Sequence, residues 1–274
     1  MKRFYSFINL LLIFGIATGC VVKNQRHLES NVGEKLMVAT LFHQHAAEMK
    51  ALSYQAYNIA TERLDEILSM QPAPANPAVV LDLDETVLDN SPHQAQGILY
   101  NFAYPEGWAE WCKLGEAPAL PGAVDFLQYA VDRGVAVFYI SNRKEEFREA
   151  TKTNFLRENI PLQSDAHLML RTAESGKEKR RLAVLENYQI VFLIGDNLSD
   201  FHQVFDHQTS ERRAFLADSL KADFGRRFII IPNAMYGDWL TSLQDYNYLL
   251  STEELDILYR SLLKGFNYEK PKKY

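Results

Sequence analysis

At 274 residues with 47% hydrophobic side chains, the chain can bury a full core, and its length suits one α/β domain with decoration. A formal charge of −6 argues against a general binder of nucleic acid polymers or of anionic membranes, since both select a basic surface. Cys20 and Cys112 are the only cysteines, too few for a disulfide scaffold.

In chain order, residues 1–19 read as a targeting segment. Lys2 and Arg3 precede an apolar run over 4–16, broken lightly by Ser6 and Asn9, and Ala17-Thr18-Gly19 precede Cys20. The run is shorter than the roughly 20 residues that span a bilayer. Residues 20–33 are polar and read as a tether. Over 34–77, Leu36, Ala39, Phe42, Ala46, Met49, Leu52 and Tyr57 begin a three- and four-residue spacing that predicts one long helix or two, stopped by Pro72, Pro74 and Pro77.

After that break, short apolar runs at 78–83, 135–140, 167–170, 190–194 and 228–231 alternate with amphipathic stretches at 123–132, 144–158 and 177–186. Such alternation predicts an α/β fold over 78–240, a doubly wound, Rossmann-like parallel sheet. The stretch of about 91–120 is too long for a simple connection. It carries Tyr100, Phe102, Tyr104, Trp108 and Trp111, and reads as an aromatic insertion over the sheet edge. Residues 241–274 read as a final helix and tail. Cys112 has no partner if Cys20 is lipidated, and is expected to be a small core or cap residue.

Ligands of parallel sheets bind outside the carboxyl ends of the strands. After the first run come Asp82, Asp84 and Thr86, and after the second Ser141, Asn142 and Arg143. Lys177 opens the helix before the fourth run, which is followed by Asp196, Asn197 and Asp200. Phosphoryl transfer uses that inventory. A carboxylate can attack phosphorus, and a second acid can protonate the leaving oxygen and then activate water. A divalent cation takes hard oxygen ligands, and lysine, hydroxyl and amide groups stabilise the equatorial oxygens. Each piece alone is weak, because acids after a strand often only cap a helix or solvate a turn. Their order along successive strand ends is the stronger signal.

Together "DLDETVLDNSP", "YISNRK", "SGKEKRR", "GDNLSDF" and "PNAMYGDW" resemble the four-aspartate phosphatase branch of the haloacid dehalogenase superfamily. With "HQHAAEMKALSYQAYNIA" and the stretch before Cys20, the chain is similar to the class C acid phosphatases, or 5′-nucleotidase lipoproteins. The resemblance implies Asp82 as nucleophile and Asp84 as general acid–base. It implies Mg²⁺ on the Asp82 and Asp196 carboxylates and the Asp84 backbone carbonyl, with Asp200 supporting the metal waters. Ser141 and Asn142 would bind phosphoryl oxygens, and Lys177 would neutralise nucleophile and phosphate, with Lys179 the alternative two residues on. Trp108 and Tyr236 would contact a nucleobase, so nucleoside 5′-monophosphates and aryl phosphates are the expected substrates. Packing of the insertion against the sheet is the competing reading of those rings.

Cys20 would carry lipid and tie the protein outside the cytoplasm to a bacterial membrane, with the outer membrane expected. A homodimer is compatible with the same resemblance. Two other functions stay open at this point: phosphotransfer to alcohols, and ligand binding by a surface lipoprotein on the same scaffold. Local decoys fail on chemistry. "SGKEK" lacks the first glycine and the Ser/Thr of a P-loop, and His43 and His45 cannot share a helix face as an i, i+4 metal pair could. Those two histidines are expected at the surface or between helices.

Overall fold

The structure, a computed structural model, describes residues 32–267. The targeting segment, Cys20, most of the tether and the last seven residues lie outside the described residues. Two helices open the fold, α1 (Val32–His45) and α2 (Ala47–Leu68), parted where Ala46 turns extended. Strand β1 (Pro77–Leu81) follows, then α3 (Ser91–Tyr100), α4 (Trp108–Leu114) and α5 (Ala123–Asp132). Strand β2 (Ala136–Lys144), α6 (Arg148–Glu158), β3 (Leu168–Arg171), α7 (Glu178–Leu185) and β4 (Gln189–Gly195) complete the alternating middle. The chain ends with α8 (Ser210–Ser219), β5 (Phe228–Ile230), α9 (Asp238–Ser242) and α10 (Thr252–Leu262).

The five strands are parallel in the order β3-β2-β1-β4-β5. Because side chains alternate along a strand, each strand feeds two cores. Val79, Leu81, Val137, Tyr139, Phe192 and Ile194 face α2, α5 and α6 through Tyr57, Leu64, Phe126, Leu127 and Phe155. Ala78, Val80, Phe138, Leu193 and Phe228 face the other way, against Val184 and Phe201. Full burial of each large aliphatic side chain contributes about 1.5–3 kcal/mol, which is why these runs are continuous in the sequence. The strand order reverses direction beside β1, so a crevice opens at its carboxyl end.

Several boundaries differ from the sequence expectation. β1 stops at Leu81, two residues early, because the next residues leave the sheet to form a turn. β2 runs on to Lys144, and its register against β3 shifts between Ile140 and Lys144. That irregularity lifts Ser141, Asn142 and Arg143 out of the ladder, a common device for re-aiming side chains. Residues 145–147 form a short 3₁₀ turn where helix was expected, and His167 belongs to another such turn before β3. The aromatic insertion is helical, as α3 and α4. His43 is a correction. It is buried, with Nε2 3.3 Å from Asp89 Oδ1, so it braces the loop after β1; His45 is exposed. No helix among the described residues is long and apolar enough to cross a membrane.

Candidate active site

The turn after β1 divides two aspartates between neighbouring strands. The Asp82 N–H still donates to Ile194 O at 3.0 Å, so Asp82 sits where the sheet ends. The N–H groups of Val87 and Leu88 then both donate to Leu83 O at 2.8 Å, folding the chain tightly back. Glu85, at φ 57°, takes the left-handed region, which costs a side chain of order 1 kcal/mol or more. Its buried carboxyl partly offsets this by accepting the Asn90 N–H at 2.7 Å. Burial, with Asp84 and Asp196 nearby, pushes the Glu85 carboxyl well above the usual range, so it serves the turn as an anchor.

Asp82 faces β4. Carboxylate oxygens of Asp82, Asp196 and Asp200 lie within 4.8 Å of one another. Lys177 Nζ reaches both Asp82 Oδ1, at 2.5 Å, and Asp200 Oδ1, at 2.6 Å. Asp82 Oδ1 is buried and takes no hydrogen bond of normal geometry, so the ammonium meets it chiefly as a charge. Lys177 is the N-cap of α7, where a cation is unfavourable to the helix dipole. The carboxylates explain its place: burial opposes its charge, but Asp200 and Asp82 outweigh burial and push it up to about 12. Lys179 points elsewhere, pairing with Glu174 at the surface.

Asp200 is held from two sides. Oδ2 accepts the Asn197 N–H at 2.9 Å while Oδ1 meets Lys177. A Cβ on Gly195 would fall 2.5 Å from the Asp200 side chain, so only glycine lets β4 end this close. Asp196 accepts from Asn233 Nδ2 at 2.8 Å and from Thr86 Oγ1 at 3.3 Å.

Asp84 faces β2 instead. Its Oδ1 accepts from Arg143 Nε at 2.8 Å and Asn90 Nδ2 at 2.9 Å, and Oδ2 accepts from Ser141 Oγ at 3.2 Å. The Asp84 carboxylate is therefore not part of the three-aspartate cluster. Asn90 is a hub, since its Oδ1 also accepts from Arg143 Nη2 at 3.1 Å and Trp111 Nε1 at 2.8 Å. Arg143 is almost fully buried, and its guanidinium lies 5.8 Å from the Trp108 ring. Asn142 is exposed, with Oδ1 accepting from Arg180 Nη2 at 2.7 Å.

The aromatic candidates separate. Trp108 stands edge-on to His93, with ring centres 5.3 Å apart, and beside Arg143 and hence Asp84. Tyr236 is half-buried three residues beyond Asn233, on the Asp196 side, and no ring contact joins it to Trp108 among the described residues. Trp111 packs inward on Asn90, and Tyr100 is exposed on α3. Cys112 is buried, and burial pushes its thiol up to about 12, which suits an inert packing residue.

Three carboxylates set against one lysine leave excess negative charge in a desolvated place. Burial, helped by Asp200 and Asp84 and opposed by Lys177, leaves the Asp82 carboxyl raised to about 7. Burial lifts Asp196 well above the usual range too, with Asp200 and Asp82 adding to it. Hard oxygen donors in this spacing fit a divalent cation that keeps several waters. Arg143 was noted at its strand end without a role, and Asn90, Asn233 and Arg180 were not singled out from sequence. Their partners lie 59, 53, 37 and 38 residues away, and no local pattern reports such contacts.

The family described as "HAD superfamily, subfamily IIIB (Acid phosphatase)" matches residues 21–239. Among solved structures, the class C acid phosphatase from Bacillus anthracis is 45% identical, with a TM-score of 0.83 over 86% of this chain and 99% of that one. The same enzyme with tungstate bound matches equally. A curated relative, the stem 31 kDa glycoprotein of Glycine max, is 27% identical over 176 residues, 62% of this chain and 65% of its own length. The chain thus spans less than two thirds of that relative.

Proposed function

Because the chain belongs to the HAD superfamily, subfamily IIIB, the acid phosphatases, we propose that it hydrolyses phosphomonoesters through an aspartyl-phosphate on Asp82. One observation carries this reading: the buried Oδ1 of Asp82 faces Lys177 at 2.5 Å inside a metal-spaced group of aspartates at the sheet's carboxyl edge. Asp82 attacks phosphorus and the ester oxygen leaves. Asp84 donates the proton that oxygen needs and then takes one from the attacking water. Oδ2 is the less engaged oxygen for this transfer, because it meets only Ser141 Oγ at 3.2 Å while Oδ1 is held by two donors. Lys177, Ser141 and Asn142 supply positive charge and donors to the phosphoryl oxygens, the usual source of stabilisation in phosphoryl transfer.

Asp82 and Asp196 would hold Mg²⁺, with the Asp84 backbone carbonyl beside them. Asp200, held by the Asn197 N–H and by Lys177, would support metal-bound water. Bound Mg²⁺ would add charge that draws phosphate and nucleophile together. Trp108, beside Arg143, and Tyr236, three residues beyond Asn233, would offer rings to flat leaving groups such as nucleosides and aryl alcohols. Tungstate, bound by the Bacillus anthracis enzyme, is an oxyanion of the kind such a site would receive.

The test is a phosphomonoester panel with and without chelator. Turnover on nucleoside 5′-monophosphates and aryl phosphates, lost on chelation and restored by Mg²⁺, is the expected result. Full activity after exhaustive chelation contradicts it. The sign of the accompanying pH effect follows from Asp82. Its folded value of about 7 lies above the roughly 3.9 of an unfolded aspartate. Protonation therefore favours the metal-free fold, and that contribution is lost as pH rises from about 4 to about 7. Mg²⁺ competes with the same proton, so its gain in melting temperature should be larger at pH 7 than at pH 5.

Attachment to a membrane rests on the stretch ending in Cys20. Cys20→Ser should leave the detergent phase for the aqueous phase; equal partitioning of variant and wild type would remove the lipid anchor.

A further inference from the structure

We propose that Arg180 is a positioning residue that fixes the polarity of the Asn142 amide, so that both amide hydrogens face the phosphoryl group. The inference rests on the phosphatase reading above. An asparagine side chain presents an acceptor on one side and two donors on the other, and its surroundings decide which way it lies. Arg180 sits on α7, one turn beyond Lys177, and reaches across to the end of β2. Its Nη2 donates to Asn142 Oδ1 at 2.7 Å, while Nη1 donates to Ser141 O at 2.6 Å and Met169 O at 3.2 Å. Flipping the amide would set NH₂ against a guanidinium that can only donate. Asn142 Oδ1 is thus committed to Arg180, and Nδ2 donates to no protein group among the described residues. A phosphoryl dianion needs donors, and the locked orientation leaves Nδ2 to supply them.

Arg180 does not itself serve as the phosphate ligand. Nη2 also donates to Ser175 O at 3.3 Å and Gly176 O at 3.4 Å, so both terminal nitrogens are taken by protein oxygens. The same fork joins the end of β2, Met169 of β3 and the loop that carries Lys177. A structural clip and an orienting contact are therefore two roles that must be told apart.

A double-mutant cycle separates them. Asn142→Ala, Arg180→Met and the double variant are compared with wild type, each with Mg²⁺ present, by kcat/KM on an aryl phosphate and by calorimetric Kd for inorganic phosphate. A charge-assisted hydrogen bond is worth about tenfold to a hundredfold, so each single variant should weaken phosphate binding by that order. The double variant should be no worse than Asn142→Ala, because Arg180 acts through that amide. Multiplying losses overturn the inference and leave Arg180 as a loop clip or a phosphate ligand. If Arg180→Met does not fold, the cycle is run with Arg180→Lys, whose single ammonium cannot hold both Asn142 Oδ1 and Ser141 O. Phosphate binding by Arg180→Lys equal to wild type would also overturn it. A wild type that binds phosphate but turns over no ester fails the phosphatase reading and still reports the cycle.

Discussion

Asp82→Asn should abolish turnover, by at least about 10⁴-fold, with little change in melting temperature of the metal-free protein. The two side chains are nearly isosteric, so packing at the end of β1 is kept. The amide also removes one of the carboxylates crowding a desolvated site, where burial raises both Asp82 and Asp196. Lys177 loses one partner but keeps Asp200 at 2.6 Å, so no buried cation is stranded. An amide, however, cannot readily attack phosphorus, and it weakens the metal seat. Asp84→Asn should behave differently. General acid–base catalysis contributes about 10²–10⁴-fold, so a trace of turnover should persist. That loss should shrink on an aryl phosphate, whose leaving oxygen needs less protonation, whereas the Asp82→Asn loss should not. Rates of both variants on an alkyl and an aryl phosphate, with melting curves as folding control, decide the assignment. Near wild-type rates for Asp82→Asn would show that another group attacks.

Lys177→Met should cost both activity and stability, and Lys179→Met neither. Lys177 is buried among carboxylates, and breaking a buried pair by removing one partner costs about 3–5 kcal/mol, because the remaining charges stay unpaired. Part of that cost should be recovered at low pH, where the orphaned aspartates take up protons, and part on adding Mg²⁺. Lys179 sits at the surface with Glu174, where a pair is worth about 0–1 kcal/mol. The measurement is melting temperature and kcat/KM for both variants at pH 5 and pH 7. Equal effects at the two lysines, or a Lys177→Met protein with normal turnover, would contradict the site described above.

What the sequence made legible was what strand ends display in order. Asp82, Ser141 and Asp196 follow apolar runs directly, and a parallel sheet gathers such residues on one edge by construction. The choice between Lys177 and Lys179 lay beyond reach. Both belong to one charged stretch, and only the helix start at Glu178 turns the first inward and leaves the second outside. The same limit hid the role of Arg143. A cation at a strand end reads as solvated, yet a register shift folds it under Asp84 and Trp108. The break at Ala46 has no proline or glycine to announce it, and the helical periodicity runs straight across. Its consequence is packing: α1 swings over the insertion, and His43 comes to rest on Asp89.

The most direct test of the central claim traps the intermediate. The Mg²⁺-loaded protein is mixed with an aryl phosphate, quenched in acid and reduced with borohydride, which converts an aspartyl-phosphate to homoserine. Peptide mass mapping should then find homoserine at position 82 and nowhere else, and none in Asp84→Asn treated without substrate. Phosphate released with no reduced residue at position 82, or a reduced residue at Asp84 or Asp196 instead, would contradict Asp82 as the nucleophile.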